Sequence, residues 1–253
     1  MGVSASSRAG VLDSVECIFV AGAGGAVGRR LVALLKREGY RVFGTTRSPE
    51  KTETVRVLGA EPVVVDVFDA DALLTAVIQV RPAVIIHQLT DLPPGLDPAR
   101  MPAALLRNAR LREEGTRNLV SAGLRAGVRR FIAQSIAFAY ALGPLPHKES
   151  DPLNIDAEGV QGVSARAVAS LEQQVLGADF EGVILRYGRF YGPGTGSDGM
   201  GRRAPVHVDA AAKAAQLAIG AGSGIYNIAE DDGEVDITRA RAELGWTPAF
   251  RLD

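Results

Sequence analysis

A glycine-rich turn close to the N-terminus places the strongest constraint on how this chain can fold. Residues 18–29 read IFVAGAGGAVGR, an apolar run, a glycine turn and the start of an amphipathic segment in direct succession. The spacing of Gly22, Gly25 and Gly28 permits a tight strand-to-helix turn, close approach of a pyrophosphate and close packing of helix on strand. Because backbone amides at a helix N-terminus attract phosphate, the turn predicts a dinucleotide site. Its residues are Gly22, Gly24, Gly25, Ala26, Val27 and Gly28. A tight turn that binds no ligand is the alternative.

The rest of the chain alternates β-branched runs with amphipathic segments, a pattern typical of βαβ units and a parallel sheet. Strands are predicted at Cys17–Ala21, Arg41–Thr45, Pro62–Asp66, Ala83–His87, Arg130–Ser135 and Gly182–Tyr187. Helices are predicted at Gly28–Glu38, Ala70–Gln79, Met101–Ala126 and Val163–Leu176. This order predicts an α/β fold with a doubly wound parallel sheet, the Rossmann fold, and ligands at the carboxyl edge of the strands. The loops at 92–102, 142–162 and 192–203 are expected at that edge.

Length and composition indicate one domain. With 253 residues, 47% apolar and 23% charged, the chain can bury one full core. We expect a flexible tail at residues 1–14 and a single domain at 15–253, with a reduced C-terminal substrate lobe at about 188–253. The tail lacks the apolar segment of a secretory signal and no stretch is long enough for a membrane span, so a cytoplasmic protein is predicted.

The net charge of −1 without a basic block argues against a nucleic-acid partner. The lone Cys17 is expected to be a core thiol, and no metal site is predicted.

The residues after the second predicted strand indicate which dinucleotide is bound. NAD sites normally carry an Asp or Glu about 20 residues after the glycine turn, where it holds the ribose hydroxyls. Here residues 44–48 read GTTRS, which offers no carboxylate and presents Arg47 instead. An arginine can stack on adenine and pair with a 2′-phosphate, so NADP is predicted over NAD. Arg29, Arg30 and Lys51 are candidate further phosphate ligands, and a solvated loop arginine is the alternative for Arg47.

Two further strand ends are expected to contact the cofactor. Asp66 ends the third strand and Val67 follows it, and the Asp66 carboxylate either accepts a hydrogen bond from the adenine amino group or caps the next helix. Gln88 and Leu89 follow the fourth strand and are expected beneath the ribose and nicotinamide. His87 ends that strand, and a structural role is favoured for it.

Several short motifs in the right order make the chain resemble the extended and atypical short-chain dehydrogenase/reductases, the NAD-dependent epimerase/dehydratase group. The resemblance covers most of the chain, beginning with the glycine turn. It continues through the segments Glu114–Leu119, Gly127–Ile132, Arg186–Gly194, Val206–Asp209 and Leu244–Pro248. It implies an NAD(P)-dependent oxidoreductase, epimerase or dehydratase acting on a sugar-like or small carbonyl substrate. Arg189 and His207 are then expected to bind that small-molecule substrate, and a homodimer is possible.

The catalytic positions depart from that family. Its members use a Tyr-x-x-x-Lys pair with a nearby Ser or Thr, and no Tyr-x-x-x-Lys occurs in this chain. In the helix expected to hold the pair, one alignment places Gln161 and Ala165 there and another places Ser164 and Val168. Ile136 stands at the usual hydroxyl position. The candidate acid/base groups are therefore the hydroxyls that the topology brings toward the nicotinamide, namely those of Ser135, Tyr140, Tyr187 and Tyr191.

Two functional hypotheses follow from these residues. The retained segment Arg186–Gly194 favours an enzyme with a non-standard acid/base residue. The missing Tyr-x-x-x-Lys pair favours a non-catalytic NADP-binding sensor or interaction protein, because a fold alone does not determine activity. The short interval between Ala229 and Leu244 predicts the reduced lobe and weakens the case for a large nucleotide-sugar substrate.

Overall fold

A computed structural model describes residues 16–201 and 203–252, which contain nine strands and eight α-helices. The strands are β1 (Cys17–Ala21), β2 (Arg41–Thr46), β3 (Glu61–Val64), β4 (Val84–His87), β5 (Arg130–Ile136), β6 (Glu181–Tyr187), β7 (Arg189–Tyr191), β8 (Pro205–His207) and β9 (Gly224–Ile228). The helices are α1 (Ala26–Arg37), α2 (Thr52–Val57), α3 (Ala70–Val80), α4 (Met101–Arg110), α5 (Thr116–Ala126), α6 (Gly159–Leu176), α7 (Val208–Leu217) and α8 (Thr238–Leu244).

Seven strands form one parallel sheet in the order β3-β2-β1-β4-β5-β6-β9. β1 is the third strand of this order, and its Ile18 pairs with Val42 of β2 on one side and Val84 of β4 on the other. The chain reverses its direction of winding between β1 and β4, which is the switch point where such sheets bind ligands. The predicted doubly wound α/β fold is confirmed.

Helices cover both faces of this sheet and divide the core into two layers. On one face α1 packs against α7, and the buried side chains include Leu31, Leu35 and Trp246. On the other face α3, α5 and α6 pack over a layer that includes Phe19, Phe131 and Leu171. All strands of the sheet are parallel, so their carboxyl ends meet at one edge, and the helix N-termini of α1 and α6 lie at the same edge.

Two predicted elements differ from the structure for local reasons. The third strand ends at Val64 instead of Asp66, because the Asp66 carboxylate accepts a hydrogen bond from the Phe68 N–H at 3.0 Å and turns the chain. The long predicted helix is divided by a π-helical turn, Leu111–Gly115, between α4 and α5. Such turns are frequent at functional sites because they change the direction of a side chain.

The C-terminal part contributes to the main sheet as well as to a separate unit. β9 pairs with β6, whereas β7 and β8 pair with each other outside the sheet. The predicted tail at residues 1–14 lies outside the described residues. Cys17 is half-buried at the start of β1, and burial raises the pKa of its thiol. None of the helices in the described residues is long and apolar enough to cross a membrane.

Candidate functional site

The glycine turn joins β1 to α1 at the carboxyl edge of the sheet. Gly22 has a φ of +94°, its N–H donates to Thr45 Oγ1 at 3.1 Å, and its carbonyl accepts from the Gly25 N–H. A methyl group on Gly28 would overlap that carbonyl, so the packing of α1 on the turn requires glycine there. A methyl group on Gly25 would meet only the Gly22 carbonyl, at 3.3 Å, and one on Gly24 would meet nothing within 4 Å. The open side of the turn faces away from the sheet at the N-terminus of α1, which Ala26 and Val27 begin.

A cavity of about 400 Å³ opens beside this turn, a volume in the ordinary range of small-molecule sites. Four of the residues predicted to bind a cofactor line it together with side chains of β1, β2 and α4. These four are Arg47, Asp66, Val67 and Leu89. The structure therefore brings the ends of β2, β3 and β4 together around one space.

Asp66 is exposed on the wall of this cavity. Of the two roles considered for it, helix capping belongs to another residue. The N-cap of α3 is Asp69, whose carboxylate accepts a hydrogen bond from the Ala72 N–H at 3.0 Å. Asp66 accepts only the local bond from Phe68, so its carboxylate can still accept a hydrogen bond from a ligand in the cavity.

Three arginines line the same cavity, and two of them are paired with carboxylates. Arg107 lies 3.1 Å from Asp91, and Arg110 binds both oxygens of Glu114. Arg47 is exposed and pairs with no carboxylate in the described part of the chain. It is thus the cation of this group that remains available for an anionic ligand.

The other candidate phosphate ligands, Arg29, Arg30 and Lys51, differ in whether they already bind a group of the protein. Arg30 forms an ion pair with Asp209 of α7 at 2.5 Å, which holds it against the neighbouring helix. The Arg29 side chain donates to the Gly24 carbonyl at 2.8 Å and so remains beside the turn. Lys51 is exposed after β2.

Gln88 stands directly after β4, below the glycine turn. Its backbone N–H donates to the Ala21 carbonyl at 2.8 Å, and a methyl group on Gly22 would lie 2.8 Å from its carbonyl group. The side chain is only 4% exposed and lies beside the Tyr187 hydroxyl, but neither atom of its amide has a partner with good hydrogen-bond geometry among the described residues. Since a buried unpaired amide is costly, the geometry fits a ligand that supplies the missing partners.

His87 has the structural role that the sequence favoured. Its Nδ1 accepts from the Leu89 N–H at 3.2 Å, so Nε2 carries the proton and donates to Thr116 Oγ1 at 3.2 Å. Burial lowers the pKa of His87 to about 4, and the nearby charge of Arg112 lowers it in the same direction. The imidazole is therefore neutral at physiological pH and joins the end of β4 to the start of α5.

Two of the four candidate hydroxyls, those of Ser135 and Tyr140, belong to a buried polar network that joins β5 to α6 and β6. Ser135 donates to Glu172 Oε1 at 2.7 Å, and Arg186 binds both oxygens of Glu172 at 2.7 and 2.8 Å. The Tyr140 hydroxyl accepts from Arg186 at 2.8 Å and donates to Asn227 Oδ1 at 2.6 Å. Burial raises the pKa of Tyr140, although the Arg186 charge opposes this. Both hydroxyls therefore have partners within the protein.

The other two candidate hydroxyls are also engaged. Tyr187 is fully buried, its hydroxyl donates to the Ala211 carbonyl at 3.1 Å, and burial raises its pKa. The Tyr191 hydroxyl donates to Glu230 at 2.8 Å and accepts from Arg251 at 3.0 Å. Burial and the adjacent Glu230 raise the pKa of Tyr191 to about 12. Neither phenol has the lowered pKa that proton transfer near neutral pH requires.

The helix expected to carry the tyrosine and lysine presents a different pair of groups. Ser164 is half-buried in the second turn of α6, and its Oγ accepts a hydrogen bond from Arg112 at 3.1 Å. Arg112 belongs to the π turn, and burial lowers its pKa to about 10, which leaves it charged at neutral pH. Gln161 is exposed, while Ala165 and Val168 are buried.

The predicted substrate residues lie on the segment that follows β6. Arg189 is exposed, and its guanidinium stacks 4.2 Å above the ring of Phe138, which is itself 42% exposed. His207 caps α7, accepting from the Asp209 N–H through Nδ1, and its ring packs edge-on against Tyr191. Burial lowers the pKa of His207. Arg189 is thus open to a ligand, whereas His207 is engaged in a helix cap.

Two loops meet over this side of the sheet. A methyl group on Gly196 would lie 3.2 Å from the Cα of Gly95, so the segment after β7 touches the segment after β4. Both loops were expected at the carboxyl edge.

Sequence reasoning missed three residues of this edge, namely Arg112, Phe138 and Glu172. A signal for Glu172 was its position as a carboxylate in the otherwise uncharged segment of residues 167–176. Arg112 stands four residues before Thr116, a spacing that places both on one helix face. Phe138 gave no comparable signal.

Known proteins match most of this chain in sequence. The sequence model of the NAD dependent epimerase/dehydratase family matches residues 18–227. A 3-diazoavenalumate denitrifying reductase from a Streptomyces species is 39% identical over 238 residues, which cover 85% of this chain and 76% of that protein.

Solved structures share the fold at much lower identity. UDP-glucose 4-epimerase from Thermotoga maritima, solved with UDP-glucose, superposes with a TM-score of 0.75 at 20% identity, over 93% of this chain and 94% of that one. UDP-glucose 4-epimerase from Thermus thermophilus, solved with NAD, gives a TM-score of 0.73 at 19% identity, over 93% and 95%. These likenesses agree with the sheet order and helix layers described above.

Proposed function

Because the chain belongs to the NAD-dependent epimerase/dehydratase family, whose members are NAD-dependent oxidoreductases and epimerases, we propose that it is an NADPH-dependent reductase that removes a diazo group as N₂. The observation that carries this proposal is that each hydroxyl expected to donate a proton at the carboxyl edge of the sheet is already bonded within the protein. The 39% identical denitrifying reductase supports the same chemistry.

The described residues fit a dinucleotide along the carboxyl edge. The open side of Gly24 and Gly25 takes the pyrophosphate at the N-terminus of α1. Asp66, Val67 and Leu89 line the cavity and would hold the adenosine half of the cofactor. The two unpaired atoms of the Gln88 amide suit the polar groups of the nicotinamide half, which would satisfy them.

Arg47 supports NADP as the preferred form. It is exposed on the cavity wall, and no carboxylate of the described chain pairs with it, whereas Arg107 and Arg110 are already paired. A guanidinium binds a phosphate in a bidentate manner that the ribose hydroxyl of NAD cannot match. Arg29 beside the turn can add to the attraction, while Arg30 is held by Asp209.

The four candidate hydroxyls are all hydrogen-bonded within the protein, and this favours a reaction that needs no general acid. Reduction of a carbonyl, or epimerisation of a sugar, requires a donor or acceptor for the proton on the substrate oxygen. The chain lacks the Tyr-x-x-x-Lys pair, and the hydroxyls of Ser135, Tyr140, Tyr187 and Tyr191 are all bonded within the protein. We assign these four hydroxyls to structure.

Reductive loss of a diazo group has no oxygen to protonate. When bound, NADPH supplies a hydride, so that an arene diazonium ion and NADPH give the arene, N₂ and NADP⁺. The hydride carries both electrons and the hydrogen that ends on carbon, and the carbon–nitrogen bond breaks as N₂ leaves. The chain's own task is to orient the substrate over the nicotinamide and to exclude water, which the loops meeting at Gly95 and Gly196 favour.

The test uses 4-carboxybenzenediazonium as the probe. The protein is mixed with NADPH under anaerobic conditions, and NADPH oxidation, N₂ and benzoate are measured together. We expect equimolar amounts of all three, formed faster than in a reaction without protein. A Gly25→Val variant, which is designed to fold but to exclude the pyrophosphate, is the matched control and should equal the reaction without protein.

Other outcomes decide against the proposal. NADPH oxidation with small aldehydes or nucleotide sugars, but not with the diazonium probe, would restore the carbonyl or sugar-like substrate that the family resemblance implies. Tight NADPH binding without turnover of any of these compounds would favour the sensor.

A further inference from the structure

We infer that Arg112 and Ser164 form an oxyanion site that selects a substrate bearing a small carboxylate. The inference rests on the proposed function for the position of the substrate, since it places the substrate beside the nicotinamide half of the cofactor. It assigns a role to two residues on α6 and the π turn that neither the glycine turn nor the four hydroxyls explain.

The first argument is the charge of Arg112. The guanidinium is half-buried, yet it forms no ion pair within the described residues. Its one side-chain hydrogen bond there goes to a neutral hydroxyl, that of Ser164. A guanidinium has five N–H donors, so most of its donors remain for a ligand. A partly buried cation without a carboxylate is costly, and an anionic ligand would offset that cost.

Three carboxylates on the elements around Arg112 are already paired with other arginines. Glu114 is held by Arg110, Asp91 by Arg107 and Glu172 by Arg186. The neighbouring imidazole of His87 is neutral, so it does not compensate the charge either. Arg112 therefore contrasts with Arg107 and Arg110 on the same helical segment, which are both paired.

The second argument is the position of Arg112 relative to the carboxyl end of β4. Thr116 is bonded to His87 and so lies level with the carboxyl end of β4. Arg112 stands four residues before Thr116 in the π turn, and so lies farther toward the N-terminal end of this segment. The side chain reaches Ser164 on α6, the helix that the sequence alignments considered for the catalytic pair. We therefore infer that the guanidinium faces the substrate beyond the end of β4, where the proposed function puts the nicotinamide.

The third argument is that the Arg112 guanidinium and the Ser164 hydroxyl can both donate hydrogen bonds to one anion. Ser164 Oγ accepts from Arg112, so its own proton is free to be donated to a second acceptor. The π turn at Leu111–Gly115 sets the orientation of Arg112, because the wider turn changes the position of side chains on the helix. A planar guanidinium with an adjacent hydroxyl matches the two oxygens of a carboxylate.

The test measures binding without turnover, so that it does not depend on the diazo chemistry. Cinnamate and methyl cinnamate are titrated by calorimetry into the protein saturated with NADP⁺. We expect the wild-type protein to bind cinnamate and to bind the ester at least tenfold more weakly. Arg112→Gln should weaken cinnamate binding about 10- to 100-fold, the loss of one or two charge-assisted hydrogen bonds, and leave ester and NADP⁺ binding unchanged.

Matched variants separate recognition from structure. Ser164→Ala, which keeps the cation, should weaken cinnamate binding less than Arg112→Gln does. Arg117→Gln removes an exposed arginine of α5 and should change nothing. Equal binding of acid and ester by the wild-type protein, or parallel losses of cinnamate and NADP⁺ binding in Arg112→Gln, would overturn the inference. If Arg112-dependent acid selectivity is found while the diazonium probe is not reduced, the proposed reaction fails and the oxyanion site stands.

Discussion

Removal of the Glu172 carboxylate should destabilise the protein without abolishing its chemistry. In the structure this carboxylate binds Arg186 through two hydrogen bonds and Ser135 through a third. The two side chains of the ion pair are only 4% and 7% exposed. Although burial alone would lower the pKa of Arg186, the hydrogen bonds and charge of Glu172 raise it. Glu172→Gln therefore leaves a buried guanidinium without its counter-charge.

The magnitude follows from what remains around Arg186. Loss of one member of a buried ion pair costs about 3–5 kcal/mol. Arg186 keeps its bonds to the Tyr140 hydroxyl and the Glu149 carbonyl, so we expect a value near the lower end, about 3 kcal/mol. For a chain of this length such a loss lowers the melting temperature by roughly 6–12 °C.

The assay is thermal and urea unfolding, with turnover measured below the transition. Glu53→Gln removes an exposed carboxylate paired with Arg56 and serves as the control, with an expected cost below about 1 kcal/mol. A double variant, Glu172→Leu with Arg186→Met, should be more stable than the sum of the single losses predicts, because no unpaired charge remains. If Glu172→Gln melts with the parent, or if Ser135→Ala keeps the stability of the parent but loses turnover, the structural assignment of this network is wrong.

Three further outcomes are expected. Arg47→Asp should weaken NADPH binding by about 1.5–3 kcal/mol and leave NADH binding nearly unchanged, as measured by fluorescence titration; an unaltered preference would contradict the phosphate role of Arg47. Gly25→Val should abolish NADPH binding in a folded protein, whereas Gly220→Val, at an open position far from the turn, should bind normally. His87 has a folded-state pKa of about 4, below its unfolded value of 6.5, so its stabilising contribution is present above pH 6.5 and is lost as the pH falls toward 4. Between pH 7.5 and 5 the free energy of unfolding should fall by about 2 kcal/mol from this residue, and His87→Gln should flatten that part of the urea-unfolding profile.

What could be predicted from the sequence was local in origin. The glycine turn is specified within residues 18–29, because backbone conformation and close packing there depend on the absence of a side chain. The alternation of strands and helices, and hence the doubly wound sheet, follows from the same kind of short-range pattern.

What could not be predicted depended on partners that are distant in sequence. Ser135 and Glu172 are 37 positions apart, Arg112 and Ser164 are 52 apart, and Tyr140 and Asn227 are 87 apart. The sequence placed Ser135 and Tyr140 near the carboxyl edge of the sheet as acid/base candidates. No local pattern could reveal that their hydroxyls would be bonded to Glu172 and Asn227.

The contact between the loops of Gly95 and Gly196 has a consequence for the time course of turnover. If a substrate must pass beneath these segments, they have to separate before a product leaves and the next molecule enters. Each separation displaces solvent, so a reaction limited by it slows in proportion to the friction of the medium. Added glycerol or sucrose should then lower kcat while a single-turnover hydride transfer keeps its rate.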